Sequence, residues 1–459
     1  MERDTSLEAI SKLSNRSCAS TLMYDEACLQ IFSFISSPFY IEYKSDECYQ
    51  CPFVPWVEIS EGESSFIIST KYRSQLLYSL NLTSCLLHFP FADQGIYALN
   101  ITNETCSNIK TVLEPKDLYL PIVFAVIVGF LGGMLWKILL YAWNSNLVSN
   151  WRRRSSEASE VENDIARAAI AEDSNVLYSQ ELQAVRRRFL TRIKSLDVFR
   201  GVTISFMILV NYGGGKYWFL EHSPWNGLTI ADLVFPWFAW IMGVSIAISL
   251  RSQLRSSTTR RRLFCKVFRR FLWLFTIGLA LNTLGGYRNG LKEIRILGVL
   301  QRLGLSYFMV ASVETFLMKP QGMVIDGYLM YIREVVECWK QWFFVLSLVA
   351  CHTCLTFLLQ VPGCPKGYLG PGGLHYHKMY SNCTGGAAAF IDRTILGEDH
   401  MYQTPTCQEV YQTTMSFDPE GVLGILTTVL LVFLGVQAGR VLLTYSGSVT
   451  RILRLLVWF

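Results

Sequence analysis

The chain has 459 residues, of which 51% are hydrophobic and only 17% are charged. Soluble domains carry about 25% charged residues, so this composition excludes an ordinary soluble domain. The net charge of +5 requires no nucleic-acid partner, because the cytosolic loops of membrane proteins are enriched in Lys and Arg. We therefore predict a membrane protein that binds no nucleic acid.

Uncharged runs of membrane length recur along the chain, at residues 118–136, 233–250, 341–365 and 421–439. A helix needs about 20 such residues to cross a hydrocarbon core of about 30 Å. The pattern predicts a polytopic α-helical membrane protein embedded in a lipid bilayer.

Residues 1–117 precede the first apolar run and differ from it in character. Alternating runs such as SSFIIST and GIYALNIT predict short strands. An even number of cysteines in a short polar segment is typical of disulfides and an oxidising compartment. These cysteines are Cys18, Cys28, Cys48, Cys51, Cys85 and Cys106. Cys48 and Cys51 form a CxxC with no second pair of similar spacing, so we predict a disulfide there.

Glycosylation sequons occur in the same segment, at Asn15, Asn81, Asn100 and Asn103. Sequons and cysteines together predict an N-terminal β-rich, disulfide-bonded lumenal domain. The opening residues, MERDTSLEAISKLS, lack the apolar core of a signal peptide. We interpret this either as a missing start or as topology set by the first span alone.

Seven spans are predicted from the apolar runs. The first transmembrane helix lies within residues 118–143, and a cytosolic linker follows at 144–194, assigned by the positive-inside rule. Residues 195–459 form the transmembrane domain, with spans at 195–215, 233–250, 271–286, 296–318, 342–361 and 422–443. Ser195 is predicted to cap the second span, with Asp197 in its first turn. The arginine-rich stretch 251–270 is predicted to be cytosolic.

A long polar loop, residues 362–420, separates the last two spans and contains Cys364, Cys383, Cys407 and a sequon at Asn382. Counting spans puts it on the same side as the N-terminal domain. Its GYLGPGG run lacks the GxxxxGK[ST] form of a phosphate loop and indicates turns. Its HxH, residues 375–377, has no carboxylate or cysteine close by, so we predict no metal. The final ILRLLVWF reads as the start of another span, and we interpret the chain as C-terminally truncated.

The stretch NYGGGKYWFLEHSPWNGLTIADLVFPWF, residues 211–238, resembles the lysosomal transmembrane heparan-α-glucosaminide N-acetyltransferase family. The resemblance extends through SLDVFRG, GVLQRLGLSYF, NCTGGAAAFIDRTILGEDHMYQ and DPEGVLG, and covers residues 192–440. Members of the family acetylate the terminal glucosamine amine of heparan sulfate in the lysosomal lumen, with cytosolic acetyl-CoA as the donor. The resemblance thus implies an acetyl-CoA-dependent N-acetyltransferase of the lysosomal membrane, and a homodimer.

His222 matches the active-site histidine of that family. Without the match, an interfacial histidine paired with Glu221 or with solvent would be the favoured interpretation. Asn211 lies eleven positions earlier, and the glycines at 213–215 are predicted to end the helix and fold the loop back. We expect Asn211 to donate a hydrogen bond to the reacting carbonyl or to the developing oxyanion. The alternative is a helix-to-helix hydrogen bond.

An acidic lumen constrains this chemistry, because an unperturbed imidazole has a pKa of about 6.5 and would be mostly protonated there. The hypothesis therefore expects partial burial among Trp218, Phe219 and Trp225 to lower the pKa of His222. Two mechanisms stay open. In the favoured one His222 is a general base in a ternary complex, and in the other it becomes acetylated and carries the acetyl group to the sugar.

Further polar residues near the loop are candidates for binding the sugar. Asp232 is expected to orient His222, to bind the sugar amine or to cap the third span. Lys216 and Arg288 are lumenal cations, for which snorkelling at the membrane interface is the favoured alternative. The remaining substrate-binding candidates are Trp225, Asn226 and His400.

Cations at the cytosolic face are candidates for binding the CoA phosphates, since Arg binds phosphate through its bidentate fork. They are Lys194, Arg200, Arg269 and Arg270, and a purely topological role is the alternative. Arg302 interrupts an apolar run, where a charge is usually paired or functional. We expect it to pair with Glu314 or Asp197, or to face the cofactor.

Two other functions fit parts of the pattern. A transporter would also have many spans, an intramembrane arginine and glycine-containing helices, and an inactive truncated isoform would fit the chain end. The polar, aromatic loop directly after a span, with no obvious internal repeat of it, favours the enzyme, because transporters often show such repeats.

Overall fold

The computed structural model describes residues 22–80, 83–102, 106–143, 193–214, 217–256, 258–284, 294–319, 336–445 and 447–458. The chain forms two compact units, Pro115–Val198 and the combination of Met1–Glu114 with Phe199–Phe459. Several predicted sites lie outside the described residues. They are the sequons at Asn15, Asn81 and Asn103, the cations Lys216 and Arg288, and nearly all of the linker 144–194.

Eight strands form two four-stranded sheets near the N-terminus. They are β1 (Glu26–Ser33), β2 (Phe39–Ser45), β3 (Val54–Ile59), β4 (Gly62–Ser69), β5 (Ser74–Leu80), β6 (Thr83–Phe89), β7 (Ile96–Ile101) and β8 (Lys110–Leu113). The sheet orders are β4-β1-β7-β8 and β3-β2-β5-β6, and the β1–β7 pair is parallel. Both sheets contribute to one hydrophobic core, with Leu29 and Leu99 from the first and Ile41 and Tyr78 from the second. The predicted β-rich character of the N-terminal region is therefore confirmed.

Disulfides link positions within this domain and within the long loop. Cys48 bonds Cys51, as predicted for the CxxC, and Cys85 bonds Cys106. Cys28 is also disulfide-bonded. In the long loop Cys364 bonds Cys383, while Cys407 is a buried free thiol.

Ten helices are described beyond the sheets. They are α1 (Leu120–Trp143), α2 (Lys194–Asn211), α3 (Ile230–Arg255), α4 (Arg260–Leu284), α5 (Val299–Leu317), α6 (Trp339–Leu358), α7 (Gly386–Leu396), α8 (Cys407–Tyr411), α9 (Val422–Thr444) and α10 (Ser448–Trp458). A helix lies at each of the seven predicted spans. Within the described ranges α1, α3, α6 and α9 are long and apolar enough to cross a membrane.

Two helix boundaries differ from the prediction. Asp197 lies in the first turn of α2 as expected, but the helix already begins at Lys194, so Ser195 belongs to that turn and does not cap it. The helices also extend beyond the predicted spans 233–250 and 271–286, because α3 continues to Arg255 and α4 already begins at Arg260. Arg and Lys are good helix formers, so these helices continue beyond their apolar runs.

Helices α3 and α9 approach each other so closely that their backbones touch. A Cβ atom on Gly243 would overlap the carbonyl oxygen of Val432, and one on Gly435 would overlap the carbonyl oxygen of Trp240. Small residues allow this approach, which is the usual way that helices pack inside a membrane. The crossing holds α3, whose first turn carries part of the candidate site, against α9.

The long loop is structured and contacts the β domain. It contains α7 and α8, and Gly367, Gly372 and Gly373 of the GYLGPGG run have positive φ angles, as expected of turns. The phenol of Tyr411 donates to the carbonyl of Glu47 (2.9 Å), and the amide of His377 donates to the carbonyl of Gln50 (2.9 Å). These contacts pack the loop against the β domain.

Candidate active site

The catalytic residues predicted from the sequence line one cavity. Helix α2 ends at Asn211, and Gly213 and Gly214 then adopt φ angles of +83° and +53°, a region that favours glycine. The chain turns back through a short helical turn, Trp218–Leu220. Asn211 and His222 consequently both line a cavity of about 380 Å³. The predicted reversal of the chain at the glycines is confirmed.

Asp232 holds the imidazole of His222 and caps α3 with the same carboxylate. Its Oδ1 lies 2.7 Å from Nδ1 of His222. Its Oδ2 accepts hydrogen bonds from the backbone amide and the hydroxyl of Thr229, at 3.1 and 3.0 Å. Thr229 and Asp232 form a reciprocal capping box at the start of α3. Orientation of His222 and helix capping, proposed as alternatives, therefore occur together.

The electrostatics of His222 differ from the expectation. The side chain is 56% exposed, and its hydrogen bond to Asp232 raises the pKa of His222 above its usual value, outweighing the opposing effect of burial. Glu420 and Glu221 add smaller effects in the same direction. The expected lowering of the pKa is therefore wrong, because an adjacent carboxylate favours the imidazolium. Trp218, which was expected to bury the ring, is itself exposed.

The β domain contributes a wall of the same cavity through Lys71 and Tyr72. The ammonium of Lys71 lies 2.5 Å from Glu221 and 2.9 Å from Glu409, and its side chain is only 12% exposed. Burial alone would lower the pKa of Lys71, but the hydrogen bonds to both glutamates outweigh burial and raise it. Lys71 and Glu409 were not predicted from the sequence, because they are 338 positions apart and no local pattern links them.

Besides Asp232, three predicted sugar-binding residues are not among those that line the cavity. The indole of Trp225 donates to the carbonyl of Leu369 (2.9 Å) and packs on Phe417, with ring centroids 5.1 Å apart. Asn226 is exposed, and its backbone carbonyl accepts from Ser223. His400 lies in another part of the loop, where its Nδ1 is 2.9 Å from the carbonyl of Ile294.

Arg302 binds the start of α9 and does not pair with Glu314. Its guanidinium donates to the hydroxyl of Thr428 (2.8 Å) and to the carbonyls of Pro419 and Gly424 (3.2 and 3.1 Å). It also stacks over the ring of Phe235 of α3. Glu314 instead pairs with Arg440 of α9, at 2.5 Å. The expected Arg302–Glu314 pair is therefore wrong, and Arg302 joins α5 to α3 and α9.

A second cluster of charges lies just before α9, and its member Arg295 was not predicted from the sequence. Arg295 forms a bidentate pair with Asp418 (3.0 and 2.7 Å) and a further ion pair with Glu420 (2.5 Å). The side chain of Asp418 is fully buried, so this bidentate geometry compensates for the loss of hydration. The cluster anchors the end of the loop 362–420.

Some of the predicted CoA-binding cations meet toward the opposite end of α3. Arg200 donates to the hydroxyl of Ser245 (2.9 Å). Ser245 lines a small cavity of about 60 Å³ together with Lys266, Arg270 and Tyr307. The guanidinium of Arg270 lies over the ring of Tyr307. Arg269 and Lys194 are exposed, and neither lines this cavity.

The His222 cavity has the groups that acyl transfer to an amine requires. Because Nδ1 of His222 is hydrogen-bonded to Asp232, Nε2 is the ring nitrogen that can accept a proton from a substrate, as in other carboxylate–histidine pairs. Asn211 supplies an amide that can donate to a developing oxyanion. Among the described residues no group of three His, Cys, Asp or Glu side chains is arranged to hold a metal ion.

Comparison with known proteins decides the family. No protein-family model matches the chain. Two curated relatives do match, both over 95% of this chain and 70% of their own length. The heparan-alpha-glucosaminide N-acetyltransferase of Mus musculus is 37% identical over 465 residues, and that of Homo sapiens is 35% identical over 462 residues. The chain belongs to the heparan-alpha-glucosaminide N-acetyltransferase family.

Membership of the heparan-alpha-glucosaminide N-acetyltransferase family makes the chain an N-acetyltransferase. The sequence resemblance noted at residues 211–238 is thereby confirmed. The alignment covers almost all of the chain, so both the β domain and the helical part belong to the region shared with the relatives. A transporter function has no support from these relatives.

Proposed function

We propose that this enzyme transfers the acetyl group of acetyl-CoA to the terminal glucosamine amine of heparan sulfate, with His222 as the general base. The observation that carries the proposal is the shared cavity of Asn211 and His222, in which Asp232 orients the imidazole. The substrate follows from the names of the relatives.

The proposed reaction runs in two steps within a ternary complex. The neutral amine attacks the thioester carbonyl, and Nε2 of His222 takes the proton that the amine loses. Asn211 donates to the oxyanion of the tetrahedral intermediate. The C–S bond then breaks, and the imidazolium returns its proton to the departing CoA sulfur. Asp232 stabilises the imidazolium between these steps, in keeping with the raised pKa of His222.

An acetylated His222 is the alternative mechanism. In that case Nε2 attacks the thioester first, CoA leaves, and the amine then takes the acetyl group from the imidazole. Incubating the enzyme with acetyl-CoA alone and analysing the peptide that contains His222 separates the two mechanisms. We expect unmodified peptide, and an acetyl-imidazole that disappears on adding glucosamine would replace the general-base mechanism.

We further propose that the cavity faces the lysosomal lumen. The contacts of Tyr411 with Glu47 and of His377 with Gln50 support a common side for the β domain, residues 1–117, and the loop 362–420. Disulfides on both, and exposed sequon asparagines at Asn100 and Asn382, support the oxidising side. The helices at the seven predicted spans then each cross the membrane, with the linker 144–194 in the cytosol.

In this arrangement acetyl-CoA enters from the cytosolic face. Helix α3 has 26 residues, about 39 Å at about 1.5 Å per residue, which exceeds a hydrocarbon core of about 30 Å. Asp232 and Arg255 lie near opposite ends of that helix. Three cations lie along α3 between Asp232 and Arg255, and we propose that they bind the CoA phosphates. They are Arg200, Lys266 and Arg270.

The test is acetyl transfer from acetyl-CoA to glucosamine by purified protein in detergent. We expect His222→Ala to lower kcat by roughly 100- to 10 000-fold, the range of a general base. His88→Ala is a matched control, because His88 of the β domain is also exposed and also pairs with an aspartate, Asp46. Equal rates for His222→Ala and the native enzyme would remove His222 from the chemistry.

A further inference from the structure

Three charged residues from three separate segments meet at the wall of the His222 cavity. Lys71 comes from the β domain, Glu221 directly precedes His222, and Glu409 belongs to α8 of the long loop. The ammonium of Lys71 bridges the two carboxylates at 2.5 and 2.9 Å. Lys71 is nearly buried, whereas Glu221 and Glu409 are 37% and 60% exposed. The two carboxylates are therefore the groups of this cluster that a ligand can reach.

The charge of this wall favours a cationic ligand. Two carboxylates oppose one ammonium among the lining residues, so the wall is negative whenever His222 is neutral. The hydrogen bonds to Glu221 and Glu409 keep Lys71 charged, since they raise its pKa despite burial. An anionic group of the substrate, such as a sulfate, would meet repulsion here, while an ammonium group would find an acceptor.

We propose that Glu409 binds the ammonium group of the incoming amino sugar and that Lys71 is the positioning residue that fixes this carboxylate. The inference rests on the proposed function, since it concerns the same acceptor. Only Oε2 of Glu409 is bound by Lys71, and Oε1 has no hydrogen-bond partner among the described residues. An ammonium–carboxylate hydrogen bond is roughly twice as strong as a neutral one.

This contact distinguishes substrate from product. The sugar arrives as the ammonium ion and releases one proton to solvent before the neutral amine reacts. Acetylation converts the nitrogen into a neutral amide, which no longer attracts a carboxylate. Glu409 therefore selects the free amino sugar and releases the N-acetylated one, whereas uniform binding of both would retain the product.

Equilibrium binding tests the proposal without requiring turnover. Dissociation constants of glucosamine and of N-acetylglucosamine are measured for the purified protein without acetyl-CoA, by calorimetry at low ionic strength. The variant is Glu409→Gln, which keeps the shape of the side chain and an oxygen that can accept from Lys71. Glu63→Gln is the matched control, because Glu63 of β4 is exposed and is not among the residues that line the cavity.

We expect Glu409→Gln to weaken glucosamine binding roughly ten- to hundredfold, as for loss of one charged hydrogen bond, and to leave N-acetylglucosamine binding unchanged. Glu63→Gln should change neither. Native affinity for glucosamine in Glu409→Gln would overturn the proposal, and so would an equal loss for both sugars, which would indicate a structural role. Absence of acetyl transfer by native protein that still shows these affinities would overturn the proposed function alone.

Discussion

The carboxylate of Asp232 joins the first turn of α3 to the imidazole of His222. One oxygen accepts from Nδ1 of His222 at 2.7 Å, and the other completes the capping box with Thr229. The orientation of the proposed base therefore depends on the position of α3. That helix is held in turn by its backbone contact with α9 at Gly243 and Gly435.

Replacing Asp232 tests whether orientation or capping matters for the reaction. Asp232→Asn should lower kcat by roughly 100- to 10 000-fold, because the imidazole loses the carboxylate that sets its tautomer and stabilises its cation. Thr229→Ala removes the cap hydroxyl but keeps the His222 pair. It should lower the free energy of unfolding by about 1 kcal/mol and retain activity. Similar activity losses in both variants would assign Asp232 to capping only.

The pH dependence follows from the raised pKa of His222. A general base must be neutral, so kcat/KM should rise with pH and level off above a pKa higher than about 6.5. In Asp232→Asn the residual kcat/KM should level off at a lower pH, because the carboxylate that raises the pKa of His222 is gone. A native profile that bends well below pH 6.5 would contradict this assignment.

The raised pKa of His222 also makes the free energy of unfolding depend on pH. A histidine with a raised pKa in the folded state contributes stability that is fully present below the unfolded pKa and disappears as pH rises through the folded pKa. The difference in Tm between native enzyme and Asp232→Asn should therefore be larger at about pH 5 than at about pH 8. An equal difference at both values would show that only the cap was lost.

Asn211 is expected to act on the transition state. Asn211→Ala should lower kcat by roughly 100- to 1000-fold with little change in KM, as for removal of one oxyanion donor. Tyr212→Ala is the neighbouring control, since that side chain is 88% exposed and does not line the cavity. A rise in KM without a fall in kcat would assign Asn211 to sugar binding.

The crossing of α3 and α9 predicts a difference between two glycines. Gly435→Ala should destabilise the protein by roughly 1–3 kcal/mol, because the added methyl overlaps the backbone of α3. Gly201→Ala of α2 places its methyl in open space and should be neutral or stabilising by up to about 1 kcal/mol. Thermal unfolding in detergent measures both, and equal Tm values would contradict the close crossing.

Much of the architecture was predictable from local patterns. Alternation such as GIYALNIT predicted β7, the CxxC predicted the Cys48–Cys51 disulfide, and the apolar runs predicted helices at seven positions. The C-terminal end of α3 and the start of α4 were not predictable from hydropathy. Hydropathy marks the apolar segment that crosses the membrane, whereas the helix extends into the adjacent polar residues, which are good helix formers. The helices of the loop 362–420 were missed, since short polar helices are stabilised by their tertiary contacts.

The amino-acid sequence alone determined which residues form the proposed active-site loop, because Asn211, the glycines after it and His222 are close along the chain. Only the tertiary structure decided the charge state and surroundings of that loop. The pKa of His222 depends on a hydrogen bond across ten residues to Asp232, and the cavity wall depends on Lys71 and Glu409, which are 338 positions apart. Electrostatic interactions act through space over a few ångströms, and distance along the sequence does not report them.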